Sequence, residues 1–143
     1  MHNANREVAV RWFEEVWNKG RREAIAEMLS ADAMLYEGAS ISRGPEGFYA
    51  FFDRLQAACS DMRIDIRQTI TENDLVCVRW CATMKHTGDG LGMAPTGKEL
   101  EVTGMSVLRI AGDKLIEGWQ NWDMLGLLQQ IREPDLAAAA LYV

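Results

Sequence analysis

Three features of the chain predict an α+β fold in which helices laid across the concave face of a curved antiparallel sheet leave a conical cavity. Apolar residues in the first half recur at helical spacing, whereas from Met62 they alternate with polar ones, the period of a strand with one wet face. Helices first and strands afterwards is the order of a layered α+β domain. The third feature is size: 143 residues, 48% of them hydrophobic, supply one core. The expected domain spans residues 1–131, with 132–143 as a C-terminal tail that covers an edge or frays.

The first helix is predicted over Asn5 to Asn18, where Val8, Ala9, Trp12, Phe13, Val16 and Trp17 form an apolar stripe. Asn18-Lys19-Gly20 ends it, and Arg22 to Leu29 repeats the pattern as a short second helix. Trp12 and Trp17 read as core anchors. Ala33 to Tyr36 is a short strand closed by Glu37-Gly38, and the Tyr36 hydroxyl either reaches the cavity or pairs structurally. Pro45 then starts a third helix through Phe48, Tyr49, Phe51, Phe52, Leu55 and Ala58. Met62, Ile64, Ile66, Gln68 and Ile70 fall on one face of the next strand, and Glu72-Asn73-Asp74 turns the chain. Leu75 to His86 is a long strand whose even positions Val76, Val78, Trp80, Ala82, Met84 and His86 share a face. Thr87 to Lys98 is a Gly-rich rim lacking the spacing of a phosphate-binding loop. Glu99 to Ile110 and Leu115 to Asp123 form a hairpin about Ala111-Gly112-Asp113-Lys114, and Met124 to Ile131 is the last helix.

Charge narrows the partners. A net charge of −6 with scattered basic residues argues against nucleic acid and against anionic membranes. No stretch has the form of a secretory signal or a membrane span, so a cytoplasmic protein is expected. Cys59, Cys77 and Cys81 lack metal-ligand spacing and read as small buried hydrophobes. With two histidines in all, a zinc site is not expected. A second apolar sheet face would need covering, which predicts a homodimer through the sheet.

The last strand concentrates the chemistry. Strict alternation places Leu115, Glu117, Trp119, Asn121 and Asp123 on one face and Ile116, Gly118, Gln120 and Trp122 on the other. A carboxylate beside a large ring is partly desolvated, which raises its pKa toward values suited to proton transfer; the competing reading of Asp123 is a cap on the following helix. His86, at the end of another long strand, is the expected partner if the two approach within about 3 Å. Glu117 is the rival carboxylate or else a structural partner of Arg109 or Arg79. Tyr36, Trp80, Met84, Ser106, Glu117 and Trp119 complete the candidate lining.

The stretches VAVRWFEEVWNKG, GPEGFYAFF, GMAPTGKELEVTGMSVLRIAGDKLIEGW and WQNWDMLGLLQQI give a chain that, from about Arg6 to Ile131, resembles the SnoaL-like polyketide cyclases of the nuclear transport factor 2-like superfamily. The resemblance implies the cone-shaped fold of that superfamily and cofactor-free acid/base chemistry on a small apolar carbonyl compound. It implies that an aspartate at the end of the last strand, matched by Asp123, moves the proton. A histidine in the preceding strand assists in such cyclases; here Thr103, Ser106 and Arg109 are the polar residues of that strand, and His86 would substitute from its neighbour. A non-catalytic binder of a hydrophobic molecule is the alternative, because one fold hosts many activities. Ketosteroid isomerisation, or epoxide hydrolysis through Arg79, Asp65 and Asp123, is a narrower third option.

Overall fold

A computed structural model describes residues 2–133; the expected tail lies almost wholly outside the described residues. Helix α1 (His2–Trp12) runs directly into a wider π-helical turn (Phe13–Asn18), closed by Lys19 N–H donating to the Glu14 carbonyl five residues back at 2.9 Å. The wider turn brings Asn18 onto the sheet. Its Oδ1 accepts from Ile64 N–H at 2.6 Å and its Nδ2 donates to the Ile64 carbonyl at 3.0 Å, so one side chain stands in for a strand neighbour. Next come α2 (Glu23–Met28), β1 (Leu29–Glu37), β2 (Ser40–Arg43) and α3 (Gly44–Ala58), which begins with Pro45 in its first turn as expected. The remaining elements are β3 (Cys59–Glu72), β4 (Leu75–His86), β5 (Glu99–Ala111), β6 (Lys114–Trp122) and α4 (Met124–Arg132).

The strands form one curved six-stranded sheet in the order β2-β1-β6-β5-β4-β3. The α+β prediction holds, with two additions that the pattern of apolar residues did not reveal. Strand β2, exposed and only four residues long, carries no alternating signal. Strand β1 pairs with β6 in parallel, Tyr36 opposite Trp119 and Glu37 opposite Gln120, although every other pair is antiparallel. The parallel pairing arises because the last strand of the meander returns beside the first, after the whole sheet has been laid down.

Helix α1 crosses the inner face and touches β3, β4, β5 and β6. Under it pack Val76, Val78, Trp80, Ala82, Leu100, Val102, Leu108 and Ile110, all buried, while Trp12 and Trp17 meet Phe48 edge-on at 5.3 and 6.0 Å. Among the described residues the register shifts at four places, and two of these bulges set the phase of the alternation around the cone. In β3, Ile66 faces Trp80 but Gln68 faces Arg79, leaving Arg67 as the extra residue. Ile70 is therefore thrown onto the outer face, 59% exposed, rather than inward with Ile64. In β6, Leu115 faces Ile110 and Glu117 faces Arg109, with Ile116 unopposed. Leu115 is thus in the core together with Gly118, while Glu117 and Trp119 lie on the other face, so the single-faced set expected from Leu115 to Asp123 is broken at Ile116.

Candidate functional site

The interior of the cone holds a narrow apolar cavity of about 40 Å³. Phe13 and Trp17 close it from the helical side, Phe51 and Leu55 from α3, and Leu127 from α4; Trp80, Met84 and Trp122 rise from the sheet. Trp80 and Met84 are there as candidate lining because β4 alternates without interruption. Among the lining residues Gln120 alone has a polar side chain other than an indole. Gln120 and Phe51 also border a second hollow of about 220 Å³, open to solvent, between α3, the β1–β2 hairpin and β6; Glu37, Ser40, Ser42, Arg54 and Ser106 lie around it.

A chain of hydrogen bonds crosses from the cavity to this hollow. The Trp80 indole N–H donates to Ser106 Oγ at 3.1 Å, Ser106 donates to Gln120 Oε1 at 3.2 Å, and Gln120 Nε2 donates to Glu37 Oε2 at 3.2 Å. The direction of donation is fixed at both ends. An indole only donates and a carboxylate only accepts, so the serine and the amide between them have one consistent orientation. Ser106 is 1% exposed, and a buried hydroxyl without partners costs about 1–3 kcal/mol, which is why its two bonds hold it in place. Strand register does the positioning: Ser106 stands opposite both Val78 and Gln120, and Glu37 is the parallel neighbour of Gln120.

The expected pairing of His86 with Asp123 does not form. Asp123 follows β6 and its N–H donates to the Thr103 carbonyl at 3.1 Å; Thr103 is opposite Cys81, whereas His86 lies five residues farther along β4. At strand rise this separates the two by about 16 Å along the sheet. Each is also committed locally. Asp123 Oδ1 accepts from Gly126 N–H at 2.9 Å, capping α4, and the residue is exposed beside a shallow hollow on the outer face with Arg67, Arg79 and Glu101. His86 is fully buried, its Nδ1 contacting Thr96 Oγ1 at 3.0 Å and accepting from Thr96 N–H at 3.3 Å, while Nε2 has no partner among the described residues. It fastens the end of the glycine-rich 87–98 segment, whose Gly97 N–H also donates to the His86 carbonyl at 2.8 Å.

Glu117 and Trp119 are displaced from the cone by the bulge at Ile116, and Tyr36 is the β1 partner of Trp119. Glu117 pairs with Arg109 at 3.1 Å, and Arg109 also reaches Asp74 at 2.8 Å; these bonds raise the Arg109 pKa above its ordinary value, the Asp74 contact most. Tyr36 and Trp119 border the second hollow, but their rings stack on each other at 5.7 Å on the face of Arg109, opposite Gln120. Of the three free thiols, Cys59 and Cys81 are buried and Cys77 half-buried. Burial pushes the Cys59 thiol up, and burial followed by the Glu101 carboxylate at 3.3 Å does the same to Cys81. Among the described residues no group of three His, Cys, Asp or Glu side chains converges for a metal ion, and no helix is long and apolar enough to cross a membrane.

Gln120 and Glu37 were not among the sequence candidates. The available signal for Gln120 was its place as the one polar residue between Gly118 and Trp122 on the buried face of β6. Glu37 read as a turn residue, since only the parallel pairing with β6 carries it to the hollow.

A cone of sheet and helices around an apolar cavity with one internal polar chain defines a nuclear transport factor 2-like fold. The chain belongs to the SnoaL-like polyketide cyclase family, whose model matches residues 7–131. Among solved structures it is similar to a candidate SnoaL-like polyketide cyclase from Jannaschia sp. CCS1, 23% identical with a TM-score of 0.84, covering 94% of this chain and 95% of that one. A candidate polyketide cyclase from Acidithiobacillus ferrooxidans is 27% identical, with a TM-score of 0.78 and coverage of 90% and 94%. AclR from Streptomyces galilaeus, described as a candidate hydroxylase, has the same fold at 21% identity, a TM-score of 0.83 and coverage of 99% and 94%. No protein of curated function matches the sequence.

Proposed function

We propose that the cone holds a small, largely apolar carbonyl compound and that the protein acts on it by cofactor-free acid/base chemistry. The observation that carries this reading is the Trp80–Ser106–Gln120–Glu37 chain, which joins an otherwise apolar cavity to a carboxylate. An apolar cavity with a few convergent polar groups is the general form of a small-molecule site. Asp123 lies outside this chain and caps α4. The test is a thermal-shift series with apolar ketones on the native protein and on Gln120→Leu. Ligands that bind only the folded state raise its Tm, and that rise should be strongly reduced in the variant. Equal shifts in both proteins would refute a role for Gln120 in holding the carbonyl.

Non-catalytic binding is the second reading, favoured by a lining of the inner cavity that contains no titratable side chain. Turnover of any ketone bound by the native protein separates the two. The same proposal includes a homodimer through the outer sheet face, supported by Ile70 and Met105 at 59% and 54% exposure beside half-buried Cys77, Val107 and Trp119. It also includes a cytoplasmic setting, with which three free cysteines accord.

A further inference from the structure

The inner cavity of about 40 Å³ and the outer hollow of about 220 Å³ share one wall: among the described residues, Phe51 and Gln120 alone line both. We infer that Phe51 is a gate between the two spaces, and that the ligand it selects is a ring ketone carrying an unbranched alkyl arm. The inference rests on the reading that a carbonyl compound occupies the cone. Of the two wall residues Gln120 is the fixed one. Its Oε1 accepts from Ser106 and its Nε2 donates to Glu37, so turning the amide breaks two bonds at once. Phe51 has no polar atom to tie it. Its ring is half-buried and makes edge contacts with Trp17, a wall of the inner cavity, at 5.9 Å and with Phe48, a wall of the outer hollow, at 5.6 Å. The open hollow beside it leaves space for the ring to move. A phenylalanine on a helix has two staggered χ1 positions, and passage from one to the other carries the ring out of the shared wall.

The sizes of the two spaces decide which end of a ligand each one takes. An apolar cavity of about 150 Å³ admits benzene, so about 40 Å³ admits no ring, whereas about 220 Å³ admits one with room for substituents. Trp12 and Phe48 give the outer hollow an aromatic wall for that ring, and Ser40 and Ser42 border it for polar substituents. Beyond Phe51 the lining is Trp17, Trp80, Met84 and Trp122, a narrow apolar space suited to a chain of methylenes. Gln120 is the polar residue common to both, so a carbonyl held there has its ring on the outer side and its arm on the inner side. In its present place the Phe51 ring stands in the path of the arm. Swung aside, it lets the arm through while Gln120 keeps its hydrogen bonds. Phe51 therefore sets the length of arm that the site accepts.

The experiment is binding of the phenyl alkyl ketones from acetophenone to hexanophenone, whose arms run from one to five carbons. Affinity is read by thermal shift and by titration of tryptophan fluorescence, and folding by circular dichroism. In Phe51→Ala each added CH2 should raise the affinity about fourfold, which is the about 0.8 kcal/mol of a buried methylene. The native protein should gain less per carbon, because a longer arm must hold the ring aside. Phe51→Trp, which thickens the wall, should gain nothing beyond acetophenone. In the native complex with hexanophenone the terminal methyl should give nuclear Overhauser contacts to Trp17 and Trp122. Should Phe51→Ala fail to fold, Phe51→Leu keeps an apolar side chain on α3 and carries the same comparison. The same dependence on arm length in the native protein and in the variants overturns the gate while leaving ketone binding intact. If neither the native protein nor the shortened variant binds any of these ketones, the occupancy reading fails, and the gate with it.

Discussion

Replacing Gly104 by alanine tests the arrangement of the cone with a single methyl group. Gly104 is on the inner face of β5, opposite Trp80 of β4 and Trp122 of β6. A Cβ there would lie 2.4 Å from Trp80 Cζ2, 2.7 Å from Cη2 and 2.8 Å from Trp122 Cβ. The last atom is fixed by its backbone, so the Trp80 ring must give way, by about 1 Å to regain ordinary contact. Such a shift breaks the 3.1 Å bond from its indole to Ser106 and loosens the whole chain to Glu37. Overpacking costs about 1–3 kcal/mol and the broken buried hydrogen bond about 1–3 kcal/mol. The sum, about 2–6 kcal/mol, is a large part of the about 5–15 kcal/mol that holds a domain folded. At about 3 °C per kcal/mol for a chain of this size, Tm should fall by about 6–18 °C. The sign is decisive, because Gly→Ala at an unstrained position stabilises by about 0.4–1 kcal/mol. Urea unfolding followed by tryptophan fluorescence, with the Trp80 indole N–H observed by NMR, gives both quantities. A stability unchanged or raised, with the indole resonance in place, would refute the packing argument.

Asp123→Ala should cost about 1 kcal/mol through loss of the α4 cap, read by urea unfolding, and an effect on ketone turnover greater than this loss of stability would assign a chemical role to Asp123. Thiol labelling with a disulfide reagent at neutral pH should modify Cys77 first, because burial disfavours the thiolates of Cys59 and Cys81; equal rates at all three would contradict the burial. If the outer face joins two copies, Met105→Glu should shift sedimentation from dimer to monomer while leaving the circular dichroism spectrum unchanged.

The elements were readable where one period runs unbroken. Strand β4 alternates from Val76 to His86 without a bulge, and Trp80 and Met84 point into the cavity as the alternation requires. The helical stripe from Val8 to Trp17 likewise lands in the core, although its last turn is widened and not α-helical. Asp123 and Gly126 show a limit of a different kind. A carboxylate just before an apolar helix satisfies the pattern of a cap and the pattern of a strand-end acid equally, and the cap is established only by the 2.9 Å contact to Gly126 N–H. His86 illustrates the same limit, since the five-residue offset that separates it from Asp123 depends on the register between strands, which neither strand contains by itself.

The bulges at Arg67 and Ile116 set which residues face the cone. Each inserts one unopposed residue, Arg67 in β3 and Ile116 in β6, and each reverses which face every later residue occupies. Without the bulge at Ile116, Leu115 in the core would bring Glu117 and Trp119 in with it and send Gln120 outward. With it, the inward set becomes Leu115, Gly118, Gln120 and Trp122, and the small Gly118 leaves room for Leu35 of β1 to pack 3.1 Å from where its Cβ would be. That close approach lets β1 lie beside β6 in parallel, which places Glu37 next to Gln120. One extra residue thus exchanges a glutamate and a tryptophan for a glutamine inside the cone, and supplies the carboxylate from a neighbouring strand. The carboxylate then stands at the open hollow, while the amide faces the apolar cavity. A buried glutamate at position 117 would instead have carried the desolvation cost of a charge inside the cone.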